Sequence, residues 1–192
     1  MAKRVYVIHG WGDSPASNWI PCLKEELERK GFSVTAPDMP DTNNPSIYVW
    51  PNFISSLVVD PDRSTFLIGH SMGCQAIVRY LSNLKENAVI GGSVFVAPVN
   101  RQITNLSDEE KIIAKPWLET PINWNDASKH IMKSVVIYSD NDVFIPVREA
   151  QDFAKNIQAK SIMEEGKGHF SDANDVTQLP VALREILSIA ES

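Results

Sequence analysis

The pentapeptide Gly69-His70-Ser71-Met72-Gly73 sits between an apolar run, Ser64 to Ile68, and a helical run, Cys74 to Leu84. Gly-x-Ser-x-Gly at a strand-to-helix junction is the signature of a turn so sharp that the serine hydroxyl stands clear of the backbone. Glycines on either side suit a residue held in strained backbone, because a β-carbon at those positions would collide with strand or helix. Ser71 is thereby the candidate nucleophile. Five letters recur by chance as ordinary glycine-rich turns, so the weight of the pattern depends on what else the chain supplies.

A serine hydroxyl is a weak nucleophile. It needs a base, and the base needs a carboxylate to orient it. Beyond this kind of elbow the usual chain order is acid, then histidine. One compact acid loop, Ser139-Asp140-Asn141-Asp142, follows the apolar run Ser134 to Tyr138, and Gly166-Lys167-Gly168-His169-Phe170 follows the short run Ser161 to Met163. Both loops leave the carboxyl ends of predicted strands, the edge of a parallel sheet at which ligands bind. The chain has four histidines. His9 lies upstream of the serine beside the first strand and reads as a loop-ordering residue. His70 is inside the elbow and should point away from the pocket of Ser71. His130 lies in polar sequence and reads as a surface residue. His169, preceded by glycines that let its loop approach the serine, is left as the base.

The chain resembles the α/β-hydrolases, and within them the small YdeN-like or retinoblastoma-binding-protein-nine-like serine hydrolases. The match is carried by Val5-Tyr6-Val7-Ile8-His9-Gly10-Trp11, Asn18-Trp19, Met39-Pro40, Gly69-His70-Ser71-Met72-Gly73-Cys74, Gly91-Gly92, Ser139-Asp140-Asn141-Asp142 and Gly168-His169-Phe170, which span nearly the whole chain. The resemblance favours Asp142 over Asp140 as the acid, through Asp142-Val143-Phe144-Ile145-Pro146, although Val143 stands where relatives often have proline. Asp140 is then expected to brace its loop through backbone hydrogen bonds. The resemblance also implies an oxyanion hole from the backbone N–H groups of Trp11 and Met72.

These placements imply a serine hydrolase acting on carboxylic esters or related acyl compounds, with Ser71, His169 and Asp142 as catalytic residues and an acyl-enzyme intermediate. A protein-interaction module on the same scaffold, or a peptidase or acyltransferase using the same three residues, are the alternatives. The expected partner is a small ester or acyl substrate. No residue spacing calls for a cofactor or a metal.

Composition narrows the classes further. The 192 residues, 43% hydrophobic and 22% charged, suit one domain with a substantial core. A formal net charge of −6 without a Lys/Arg cluster argues against nucleic acid as a partner. The first apolar run, Val5 to Ile8, is too short for a signal sequence or membrane span, so a cytoplasmic protein is expected. Cys22 and Cys74 lie in apolar helical stretches and read as buried, reduced thiols.

The elements that must position these groups follow from periodicity. Short apolar strands at Val5–Ile8, Phe32–Ala36, Ser64–Ile68, Gly91–Ala97, Ser134–Tyr138 and Ser161–Met163 alternate with helical patterns at 17–30, 50–58, 74–84, 146–157 and 177–190. Such alternation predicts a parallel, doubly wound six-stranded sheet with helices on both faces. By the resemblance the order is 2-1-3-4-5-6, with the switch point between the first and third strands. The stretch 100–130 has one short helix announced by the capping box Ser107-Asp108-Glu109-Glu110, and it also holds Pro116 and Pro121. It reads as a crossover connection or as a small lid or pocket wall. Trp117 and Trp124 within it, with Trp11, are the substrate-contact candidates.

Overall fold

A computed structural model describes residues 3–191. Six parallel strands, β1 Arg4–Ile8, β2 Ser33–Thr35, β3 Thr65–His70, β4 Gly92–Val96, β5 Ser134–Ser139 and β6 Lys160–Glu164, form one sheet in the order β2-β1-β3-β4-β5-β6. The expected strand order is therefore the observed one. β1 pairs with β3 in a register that sets Ile8 opposite Gly69, so the loop after β1 and the turn after β3 leave the sheet side by side.

Successive strand side chains point to opposite faces, and each face has its own core. Val5, Val7, Phe66, Ile68, Val94, Val96, Val135 and Ile137 pack against α1 (Ile20–Arg29) and α7 (Pro180–Glu191). The alternate residues Tyr6, Ile8, Leu67, Phe95, Val136 and Tyr138 pack against α2 (Val49–Leu57), α3 (Met72–Leu81) and α6 (Val147–Asn156). Trp50, Ile54, Ile77 and Phe153 fill this second core. β1, β3, β4 and β5 lie between the two layers, which is why their sequences read as apolar runs rather than alternations.

The 100–130 stretch differs from expectation. It contains two helices rather than one, α4 (Asp108–Glu119) and α5 (Trp124–Lys129), and Pro116 lies inside α4. The proline removes only the bond to the carbonyl four residues back, on Ile112, which is 73% exposed. At the start of α4 the capping box forms as read: the Ser107 hydroxyl accepts from the Glu110 N–H, and the Glu110 carboxylate accepts from the Ser107 N–H. At its end the Arg79 guanidinium donates to the carbonyls of Thr120 and Pro121, tying this segment to α3.

Two smaller expectations are corrected. His130 is buried, its Nδ1 2.6 Å from the Ala88 carbonyl, because the turn after α5 docks beside the start of β4. Cys22 is half-buried rather than buried, whereas Cys74 is enclosed, and both thiols are free. No helix among the described residues is long and apolar enough to cross a membrane.

Candidate active site

Ser71 occupies the sharp turn between β3 and α3 with φ 51° and ψ −117°, a conformation that costs a residue other than glycine about 1–3 kcal/mol. The surroundings hold it there. Its N–H donates to the Val96 carbonyl at 2.9 Å, fastening the turn to the end of β4. The flanking glycines are required sterically. A β-carbon on Gly69 would lie 2.9 Å from backbone atoms of Cys74, and one on Gly73 would lie 2.5 Å from the carbonyl oxygens of Ile8 and His9. α3 can thus start against β1 and aim its N-terminus at the serine, where the helix dipole favours negative charge.

The Ser71 hydroxyl Oγ is 2.9 Å from Nε2 of His169, and Nδ1 of the same ring is 2.8 Å from Oδ2 of Asp142. The three side chains predicted to act together are brought together. Asp142 is fixed in turn: its Oδ1 accepts the N–H groups of Phe144 and Ile145 at 2.8 and 3.0 Å, leaving Oδ2 for the histidine. Asp140 faces elsewhere, accepting the Gly166 N–H at 2.8 Å, in keeping with its expected bracing role. Burial lowers the pKa of His169, the Asp142 hydrogen bond raises it by less, and the nearby His70 lowers it further. The ring is therefore held neutral at ordinary pH. A neutral imidazole between an alcohol and a carboxylate can accept the alcohol's proton and be stabilised as it does so.

The loop that carries His169 is held by side chains the sequence reading did not single out. Ser139 Oγ accepts the Lys167 N–H at 3.0 Å, Asn141 Oδ1 accepts the Gly168 N–H at 2.7 Å, and Asn174 Oδ1 accepts the His169 N–H at 2.9 Å. With Asp140, four consecutive backbone donors, from Gly166 to His169, are satisfied by side chains. On the other side of the loop, the His169 carbonyl meets Nε2 of His70 at 2.9 Å, while Nδ1 of His70 meets Asp13 at 3.2 Å. The polar run Ser139-Asp140-Asn141 could have been read as a clamp. Nothing local pairs Asp13 with His70, 57 residues away.

His9 orders its loop as expected. Its Nδ1 is 2.8 Å from the Gly10 carbonyl and its Nε2 accepts the Met39 N–H at 3.0 Å. One donor and one acceptor make it a neutral ring. The loop after β1 then brings Trp11 to the cleft, where its indole donates to the Asn43 carbonyl at 3.0 Å.

An open cleft of about 660 Å³ lies over Ser71 and His169. Trp11, Gly12, Asn43 and Met72 line one part, Phe144 and Ile145 another, and Ile103, Leu106, Ser107, Glu109, Glu110 and Ile113 the part formed by the start of α4. Of the three tryptophan candidates only Trp11 lines it. Trp117 is 1% exposed, donates to the Pro45 carbonyl at 2.8 Å and packs edge-on against Trp50. Trp124 packs edge-on against Phe153 and lines a separate cavity with Pro121 and Ile122. Their expected role as substrate contacts at this cleft is corrected: Trp117 is enclosed in the second core and Trp124, half-buried, packs against that core away from Ser71, because the helices that carry them close over it.

YdeN of Bacillus subtilis is 29% identical over 191 residues, covering 94% of this chain and 93% of its own, and its crystal structure superposes with a TM-score of 0.92 over 100% of both chains. Serine hydrolase RBBP9 of Rattus norvegicus is 27% identical over 165 residues, 85% of this chain and 84% of its own. Est1E of Butyrivibrio proteoclasticus, solved with ferulic acid bound, shares the fold with a TM-score of 0.75 at 15% identity, over 97% of this chain and 88% of its own. The α/β-hydrolase architecture, the serine at its strand-to-helix turn, and a family model described as serine hydrolase that matches residues 5–187 together make this chain a member of the serine hydrolase family.

Proposed function

We propose that this hydrolase cleaves carboxylic esters or closely related acyl compounds through an acyl-enzyme on Ser71. The observation that carries the reading is the continuous relay from Ser71 Oγ through the His169 ring to Asp142, with links of 2.9 and 2.8 Å. Ser71 Oγ attacks the acyl carbon while His169 Nε2 takes its proton. Asp142 holds the tautomer and stabilises the imidazolium. The carbonyl oxygen becomes an oxyanion, the C–O bond to the alcohol breaks, and His169 returns the proton to the departing alcohol. Water, deprotonated by the same ring, then attacks the acyl-serine and releases the acid.

The N–H groups of Met72 and Trp11 are assigned to the oxyanion. Met72 is the first residue of α3, so its N–H has no acceptor within the helix. Each such donor contributes about 3–4 kcal/mol to the transition state in comparable sites. The start of α4 serves as the substrate-facing wall of a single domain. That wall brings Glu109 and Glu110 to the cleft, whose lining includes neither lysine nor arginine. Neutral acyl groups therefore suit it better than acyl groups ending in a carboxylate.

A panel of p-nitrophenyl esters of rising chain length, with a hemisuccinate ester as the anionic member, tests this reading against the Ser71→Ala variant. Turnover of the neutral esters that disappears in the variant is expected. Ester turnover that survives in Ser71→Ala would end it.

A further inference from the structure

The two rings that sit deep in this site resolve differently when their partners are counted. His9 faces one acceptor, the Gly10 carbonyl, and one donor, the Met39 N–H, so a single ring proton satisfies it. His70 faces two acceptors: the Asp13 carboxylate at Nδ1 and the His169 carbonyl at Nε2. A neutral imidazole has one N–H and would leave one of these contacts as two lone pairs in opposition. With the His70 side chain only 2% exposed, water cannot relieve such a mismatch.

We propose that His70 is a positioning residue that works as a cation: protonated on both nitrogens, it bridges the Asp13 carboxylate to the His169 carbonyl and so holds the loop that presents His169 to Ser71. This rests on the reading of Ser71 and His169 given above. The Asp13 carboxylate is itself anchored, its Oδ2 also accepting from the Asn18 amide at 3.1 Å. Asn18 in turn exchanges two hydrogen bonds with Asp172, three residues past His169: the Asp172 N–H donates to the Asn18 Oδ1, and the Asn18 N–H donates to the Asp172 carboxylate, each at 2.9 Å. The bridge therefore links the loop after β1 to the loop after β6 across the nucleophile turn.

The charged and titratable groups around His70 are consistent with that state. Asp13 faces it directly, with its pKa lowered: burial raises it, but the bond and charge of His70, the Asn18 hydrogen bond and the nearby His9 together more than offset this. The His169 ring lies 5.0 Å away at 42°, with Asp142 beyond it, and His9 is on the neighbouring strand end. Trp19 packs edge-on against the His70 ring at 5.8 Å. A cation here also disfavours a second positive charge on the His169 ring, which keeps that ring available as a base. One residue would thus both aim the base and keep it unprotonated.

The test uses the full chain labelled with 15N-histidine. At about pH 7.5, where a free imidazole of pKa about 6.5 is neutral, the resonances of His70, assigned by their loss in His70→Gln, should report a proton on both ring nitrogens, and those of His9 on one. With a p-nitrophenyl ester, His70→Gln should lower kcat about 10- to 100-fold with KM changed less than about threefold, since the base is misplaced while the cleft is intact. Its acidic limb should move to higher pH. Asp13→Asn should convert His70 to a singly protonated ring in the same spectra. A singly protonated His70 in the unaltered protein overturns the proposal whether or not either variant folds, as does a folded His70→Gln with full kcat and an unmoved limb. Failure of Ser71→Ala to abolish turnover would instead strike the reading of the site, and leaves the protonation measurement standing.

Discussion

Nε2 of His169 lies 2.9 Å from Oγ of Ser71, although 98 residues separate them in the chain. The sheet closes that distance: β3 and the strands that follow it run parallel, so every loop that leaves a carboxyl end emerges on the same edge. Ser71→Ala should abolish labelling by a fluorophosphonate and reduce ester turnover by at least about 10⁴-fold, with the circular dichroism spectrum unchanged. Persistent labelling would move the nucleophile elsewhere.

Asp142 and Asp140 differ by two positions but by a whole role. Asp142→Asn should lower kcat on the order of 10⁴-fold, because an amide can donate to His169 and stabilise the wrong tautomer. Asp140→Asn keeps an oxygen for the Gly166 N–H and should cost less than about tenfold. Steady-state kinetics on both variants decide it, and matching losses would mean the acid has been assigned to the wrong residue.

The pH profile carries a sign. His169 acts in its neutral form, and burial, together with the nearby His70, lowers its pKa from the ordinary 6.5 more than Asp142 and Asp13 restore it. kcat/KM should therefore rise with pH through a midpoint below 6.5 and be flat at neutrality. Activity is lost as pH falls through that lowered value. A limb centred above 6.5 would show that the charge of Asp142 outweighs burial.

Gly73→Ala places a methyl group 2.5 Å from two carbonyl oxygens of the β1 end, which must push α3 off the sheet. A loss of about 1–3 kcal/mol in urea unfolding is expected, with a larger relative loss of activity because the Met72 N–H moves with the helix. A variant as stable and active as the parent would show that the junction is looser than these distances imply.

Trp11 and Trp117 separate cleft from core. Trp11→Ala should raise KM for the longer esters with little change in stability, since its indole borders the cleft. Trp117→Ala should cost about 3–5 kcal/mol in stability, yet leave KM unchanged in the folded fraction. Denaturant curves beside the kinetics distinguish the two, and the reverse pattern would restore Trp117 to the substrate.

Sequence by itself determined the alternation of strands and helices, and through the resemblance the strand order, because buried parallel strands and amphipathic helices write their periods locally. It also nominated Ser71 and His169, through the turn around the serine and the chain order, and the Ser139–Asp142 loop as the source of the acid, with Asp142 preferred to Asp140 through the resemblance. Tertiary structure decided what depends on docking. Trp117 and Trp124 pack against the second core because α4 and α5 close over one face of the sheet, and Pro116 is accommodated because the bond it removes lies on an exposed turn. His130 is buried by the turn after α5, and His70 meets Asp13 and the His169 carbonyl only where three strand ends converge. Periodicity reports which way a side chain faces relative to its own element. Which partner it then finds is set by contacts between residues far apart in the chain.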